Sequence, residues 1–133
     1  MSAAFQTTTV LLRHVLADGS WHFDWMIDPG PERPLITFRT AAFVPDASGF
    51  EAERIGDHRR VYLTYEGPLS GRRGEVSRVA EGAARVVEAS SRSLIVDLAF
   101  AGRPWVRWEG SASGSVWIFG QRGIPAQVAP PEV

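Results

Sequence analysis

The sequence predicts an all-β fold, an antiparallel barrel or sandwich, and three observations carry that expectation. Runs rich in β-branched and aromatic residues recur along most of the 133 residues. Clusters of Gly, Asp, Ser and Pro separate them at near-regular spacing. No internal repeat and no long linker interrupts the series, and one domain is what this length accommodates.

Each element follows from local chemistry. Thr7 to His14 is β-branched at its start and reads as the first strand. Ala17-Asp18-Gly19-Ser20 is a turn, with Asp-Gly the strong hairpin signal, and Ser20 to Ile27 is the second strand. Three prolines and a glycine make Asp28 to Pro34 a loop, and Pro34 to Thr40 is a third short strand. Ala41 to Gly56 is the least regular part, with a helical turn expected at Phe50 to Arg54. His58 to Glu66 alternates as a strand, and Gly67 to Gly74 is a loop carrying Arg72 and Arg73. The remaining strands are Glu75–Ala80, Ala84–Ala89, Ser93–Ala101, Pro104–Glu109 and Ser115–Gly120, with Glu81-Gly82 among the turns between them. Trp21, Phe23, Trp25, Trp105, Trp117 and Phe119 are assigned to the core, and Trp108, off the alternation from Trp105, to a surface where it stacks on a base. Residues 1–123 form the domain, and 124–133 are a Pro-rich C-terminal tail.

Composition limits the chemistry. Cysteine is absent, which removes disulfides, thiolate metal sites and cysteine nucleophiles and fits a reducing cytoplasm. No secretory signal is visible at Met1 to Gln6, and no apolar stretch approaches a membrane span. All 14 basic residues are arginine, so any phosphate contact from a basic side chain uses a guanidinium group. A net charge of −1 argues against holding long duplex DNA by charge alone. A nucleic-acid partner is therefore expected to be met over a short, local contact such as an end.

The three histidines fall at His14, His22 and His58. Alternation sends His22 and Asp24 to one face of the second strand and Trp21, Phe23 and Trp25 to the other. Two imidazoles and a carboxylate converging from adjacent strands suit a divalent transition metal such as Mn, Fe or Zn.

The segments Leu12-Arg13-His14, Trp21-His22-Phe23-Asp24, Asp57-His58 and Tyr65-Glu66-Gly67-Pro68-Leu69 carry a resemblance to the 3′-phosphoesterase domain of bacterial DNA ligase D. Order and spacing are similar from roughly Thr9 to Glu88, and more loosely through Trp117. The resemblance implies an antiparallel β-barrel of about eight strands with a crescent-shaped active site and short helical turns. It implies a manganese-dependent hydrolase that trims 3′ ends by removing a terminal ribonucleoside and then a 3′-phosphate. His14, His22 and Asp24 match the metal ligands. His58 matches the histidine that contacts the reacting phosphate, Tyr62 an aromatic of the site, and Arg39 falls near a lysine of it.

The chain departs from the family pattern in two places that bear on activity. An arginine that helps hold phosphate is replaced by Met26, and an acidic residue before the later histidine by Gly56. Arg60, Arg72 and Arg73 are candidates to supply the missing charge. The expected function is DNA end repair at the 3′ end of DNA or RNA, alongside a separate ligase or polymerase. The alternative is a barrel that binds such ends, phosphate or a repair partner without turnover. His22→Ala and Asp24→Ala are expected to abolish metal binding, and Met26→Arg to raise activity if that position faces the site.

Overall fold

The computed structural model describes residues 6–123. Nine strands run β1 (Thr7–Val15), β2 (Trp21–Ile27), β3 (Leu35–Thr40), β4 (Gly49–His58), β5 (Gly67–Pro68), β6 (Glu75–Ala89), β7 (Ser93–Phe100), β8 (Val106–Ser113) and β9 (Val116–Arg122). Every pairing is antiparallel, in the order β1-β2-β3-β4-β9-β8-β7-β6-β5. A further β1–β6 pairing closes eight strands into a barrel-like ring and leaves β5 beside the start of β6. Two 3-10 helices, Val44–Asp46 and Arg60–Leu63, supply the short helical turns. Among the described residues no helix is long and apolar enough to cross a membrane.

The β1–β2 hairpin forms as its turn chemistry requires. Gly19 takes φ 90°, and the Asp18 carboxylate accepts from the Ser20 amide and hydroxyl at 2.9 and 2.6 Å. Alternation then divides the strands into two apolar surfaces. The inner one joins Leu11, Trp25, Phe38, Leu98, Trp108, Trp117 and Phe119. Phe119 lies at its centre, 5.0–5.1 Å by ring centroid from Trp25, Phe38 and Phe50. Gly110 faces it so closely that any Cβ would overlap the Phe119 ring. The Trp25 indole N–H donates to Thr9 Oγ1 at 2.9 Å, so this deep ring leaves no polar atom unmet.

The outer surface is mostly polar, but over β1 and β2 it carries a second cluster of Val10, Leu12, Met26, Leu35 and Val76. Tyr62, Leu63, Tyr65 and Leu69 pack on it, so the Arg60–Leu63 helix and the chain after it cover this part of the barrel. Arg60 fixes that cover. Its guanidinium donates to both Asp28 oxygens at 2.6 and 2.8 Å and to the carbonyls of Gly30 and Arg33.

Several elements differ from the sequence expectation. Phe50 to Arg54 is strand, because β3 and β9 pair with it on both sides and override its helix-forming residues. The strand expected at His58 to Glu66 ends at His58 and curls into a 3-10 helix, leaving Val61 half exposed. Glu81-Gly82 is no turn. Gly82 lies inside one 15-residue strand, where a Cβ would overlap the Ala99 carbonyl oxygen of β7. Trp108 is buried against Phe50, whereas Trp105 precedes β8 and stacks under Arg85, so their expected places are exchanged. Trp21 is 48% exposed at the barrel end under Arg13. The Pro-rich segment 124–133 lies outside the described residues.

Candidate metal centre

His14 of β1 stands directly opposite His22 of β2, and Asp24 follows two residues along on the same outward face. Strand pairing therefore brings together three side chains that the sequence separates. His14 Nδ1 lies 3.3 Å from Asp24 Oδ2, and His22 Nε2 lies 3.1 Å from Asp24 Oδ1. One ligand atom from each residue falls within 4.8 Å of the others. The Asp24 side chain is 5% exposed and both imidazoles 13%.

The arrangement is short of hydrogen bonds. His14 Nδ1, His22 Nε2 and Asp24 Oδ1 are buried and find no hydrogen-bond partner. His14 Nε2 donates to the Arg73 carbonyl oxygen at 2.7 Å. A carbonyl only accepts, so Nε2 carries the proton and Nδ1 of the neutral ring carries a lone pair. That lone pair faces a carboxylate. For His22, burial disfavours the imidazolium and the Arg39 charge adds to it, which together outweigh Asp24, so its pKa is lowered. It is then neutral near pH 7, the form that ligates metal. A cation among these atoms removes the conflict. With bonds of about 2.0–2.2 Å to nitrogen and oxygen, neighbouring ligand atoms sit about 2.9–3.5 Å apart; each histidine meets one Asp24 oxygen in that range, a different oxygen for each, and the three ligand atoms as a set lie within 4.8 Å. His14, His22 and Asp24 could hold a metal ion.

The group lies between two clefts. The first, of about 270 Å³, is lined by His14, Asp24, Met26, His58, Arg59, Tyr62 and Arg73 among others. The second, of about 460 Å³, is lined by His22, Arg39, Glu51 and Glu53. His58 and Tyr62 thus share a cleft with His14 and Asp24, while His22 lines the other. Their rings meet edge-on at 5.5 Å, and His58 Nδ1 lies 2.8 Å from the Gly56 carbonyl oxygen. Arg39 neighbours Asp24 across the β2–β3 ladder but lines the second cleft, on the His22 side.

The other arginines fall differently from expectation. Arg60 is committed to Asp28 and two carbonyls, and Arg73 donates to the Ser70 carbonyl and hydroxyl oxygens at 2.8 and 3.1 Å. Arg60 is thereby spent, whereas Arg73 keeps Nη1 without a partner among the described residues. Arg72 does not line the first cleft. Arg59, which sequence patterning did not single out, is exposed on the cleft wall and unpaired among the described residues. Its position beside His58 in Asp57-His58-Arg59-Arg60 was the available signal. Met26 does line the cleft, yet it is 1% exposed and packed among Val10, Leu12, Leu35 and Val76.

No protein-family model matches the chain, and a search of curated proteins gives no match either.

Proposed function

We propose that this protein is a metal-dependent phosphoesterase that acts on 3′ ends of nucleic acid, removing a 3′-phosphate or 3′-ribonucleotide in DNA end repair. The carrying observation is the trio of buried, partnerless ligand atoms on His14, His22 and Asp24 at the edge of a cleft that also holds His58 and Arg59. Manganese is the metal of this reading, with zinc or another transition metal as the competing occupant. The partner is a DNA or RNA 3′ end, handed on to a separate ligase or polymerase.

The residues divide the work as follows. His14, His22 and Asp24 hold the cation through one atom each. When bound, it supplies Lewis acidity to a phosphoryl oxygen and lowers the pKa of a water molecule. His58 is turned by the Gly56 carbonyl so that Nε2 is its free atom. As an imidazolium it donates from Nε2 to a phosphate oxygen or to the leaving oxygen. Tyr62 holds the His58 ring from the side. Arg59, on the same wall, neutralises phosphate charge, and Arg39 does so from the far side of the metal group.

Met26 supports a second reading, a barrel that binds 3′ ends, phosphate or a repair partner without turnover. A thioether closes the cleft floor where the resembling family carries a guanidinium, and a thioether cannot hold a phosphate.

Release of inorganic phosphate from a primer–template duplex ending in a 3′-phosphate separates the two readings. Manganese-dependent release, absent with chelator and lost in His22→Ala, is the expected result. Duplex binding without release identifies the binder, and neither binding nor release removes both readings for 3′ ends of duplex DNA.

A further inference from the structure

The loop that leads into β6 is built around a single contact with the metal-ligand group. Between β5 and β6 the chain folds back on itself, and the Leu69 amide donates to the Gly74 carbonyl at 2.8 Å. Gly71, Arg72 and Gly74 all take left-handed backbone angles, with φ of 70°, 58° and 88°. Arg72 does so without being glycine, a conformation that persists only where surrounding contacts hold it. The Arg73 side chain ties the loop to Ser70. The outcome is that the Arg73 carbonyl points at His14 and accepts from Nε2 at 2.7 Å.

Gly74 makes that approach possible. It lies against the end of β1, where a Cβ would overlap the Val15 carbonyl oxygen and come within 2.9 Å of Leu16 Cα. Both neighbours are backbone and cannot rotate away. Gly71 has the same left-handed backbone but nothing within 4 Å of its Cβ position. The two glycines therefore separate close approach from backbone conformation.

We propose that the Ser70–Gly74 loop is a positioning element for the metal centre: the Arg73 carbonyl holds His14 so that Nδ1, and not Nε2, is its ligand atom, and Gly74 allows that carbonyl to reach it. This rests on the metal-centre reading of His14, His22 and Asp24. The carbonyl fixes both the tautomer and the ring orientation, the two properties that an outer hydrogen bond gives a ligating histidine. Without it the ring can present either nitrogen, and Nδ1 loses its fixed aim at Asp24.

Zinc, being diamagnetic, allows a direct test by carbon–nitrogen NMR of the histidine rings in the full chain. Ligation of His14 through Nδ1 and of His22 through Nε2 is expected. Calorimetric titration of zinc and manganese should show Gly74→Ala about 10- to 100-fold weaker than wild type, with Gly71→Ala close to wild type. Circular dichroism of each metal-free variant checks its fold. Ligation through His14 Nε2 overturns the proposal by itself, so an unfolded Gly74→Ala leaves it testable on the wild type. Wild-type affinity in a folded Gly74→Ala also overturns it. Neither zinc nor manganese bound by wild type removes the metal-centre reading, a different failure from the other two.

Discussion

The two faces of the β1–β2 hairpin use the same alternation for opposite ends. Its inner face carries Leu11, Phe23, Trp25 and Ile27, all in the main core, and the deep polar atom there, the Trp25 indole nitrogen, has its partner. The outer face carries Val10, Leu12 and Met26 as a small apolar floor, then Asp24, His14 and His22 with three partnerless atoms. Cores keep buried polar groups satisfied because each orphan costs about 1–3 kcal/mol. Three of the four partnerless buried side-chain atoms among the described residues gather here, beside a cleft and in a ligand-type trio, as expected where a fold trades stability for a site.

Substitutions can pull the two faces apart, and the largest effect is expected inside. Trp25→Ala removes a fully buried ring that touches Phe38, Phe50 and Phe119, and should cost about 3–5 kcal/mol in urea denaturation. A loss below 1 kcal/mol would show that the inner face is not a packed core. Asp24→Ala on the outer face should do the reverse. Metal binding by calorimetry disappears, while the metal-free protein stays within about 1 kcal/mol of wild type, because no hydrogen bond is lost. A large stability loss in that variant would make Asp24 a structural residue.

Met26→Arg sits on the border between the two behaviours. It should raise the phosphate-release rate about tenfold, the worth of one charge-assisted contact, while lowering the melting temperature because the stem and charge enter an apolar floor. An unchanged rate with a lowered melting temperature would place the phosphate beyond this position. The smallest effect concerns the clamp under the cover. Burial raises the Asp28 pKa, but the Arg60 hydrogen bonds and charge and the Gly30 amide outweigh it, so the net value lies below the ordinary 3.8. Between that lowered value and 3.8 the unfolded chain binds the extra proton, so stability falls as pH falls through the window and is fully present above it. Asp28→Asn should therefore flatten the acid limb of a stability–pH curve below about pH 4, moving the midpoint by a fraction of a pH unit.

What the sequence revealed follows the same division. The all-β class, the β1–β2 hairpin and the convergence of His14, His22 and Asp24 were readable, since each depends on period-2 alternation and one Asp-Gly turn. Features set by distant partners were not. Glu51, Ala52, Glu53 and Arg54 favour helix locally, and only β3 and β9 make them strand. Gly82 punctuates like a turn residue, but its role is to let β7 come close. Trp105 and Trp108 were exchanged because the alternation was counted from a residue that precedes β8. His58 and Tyr62, singled out through a family resemblance, line the same cleft as His14 and Asp24, whereas the Arg73 contact with His14 was invisible because it comes from the backbone.

The 15-residue strand β6 gives the metal group a place in the order of folding. Thr7 to Val15 of β1 pair with Glu75 to Ala84 of β6, whose Gly82 to Ala89 pair with β7 on the other side, so this seam closes the ring. The seam links positions 60 to 77 residues apart, and such long-range pairing is slow to form. His14 lies within it, opposite both His22 and Val76. The hairpin alone can bring the three ligand-bearing side chains near one another, but the Arg73 carbonyl reaches His14 only once the seam has zipped. On the proposed metal centre, tight metal uptake would then report on ring closure and lag hairpin formation.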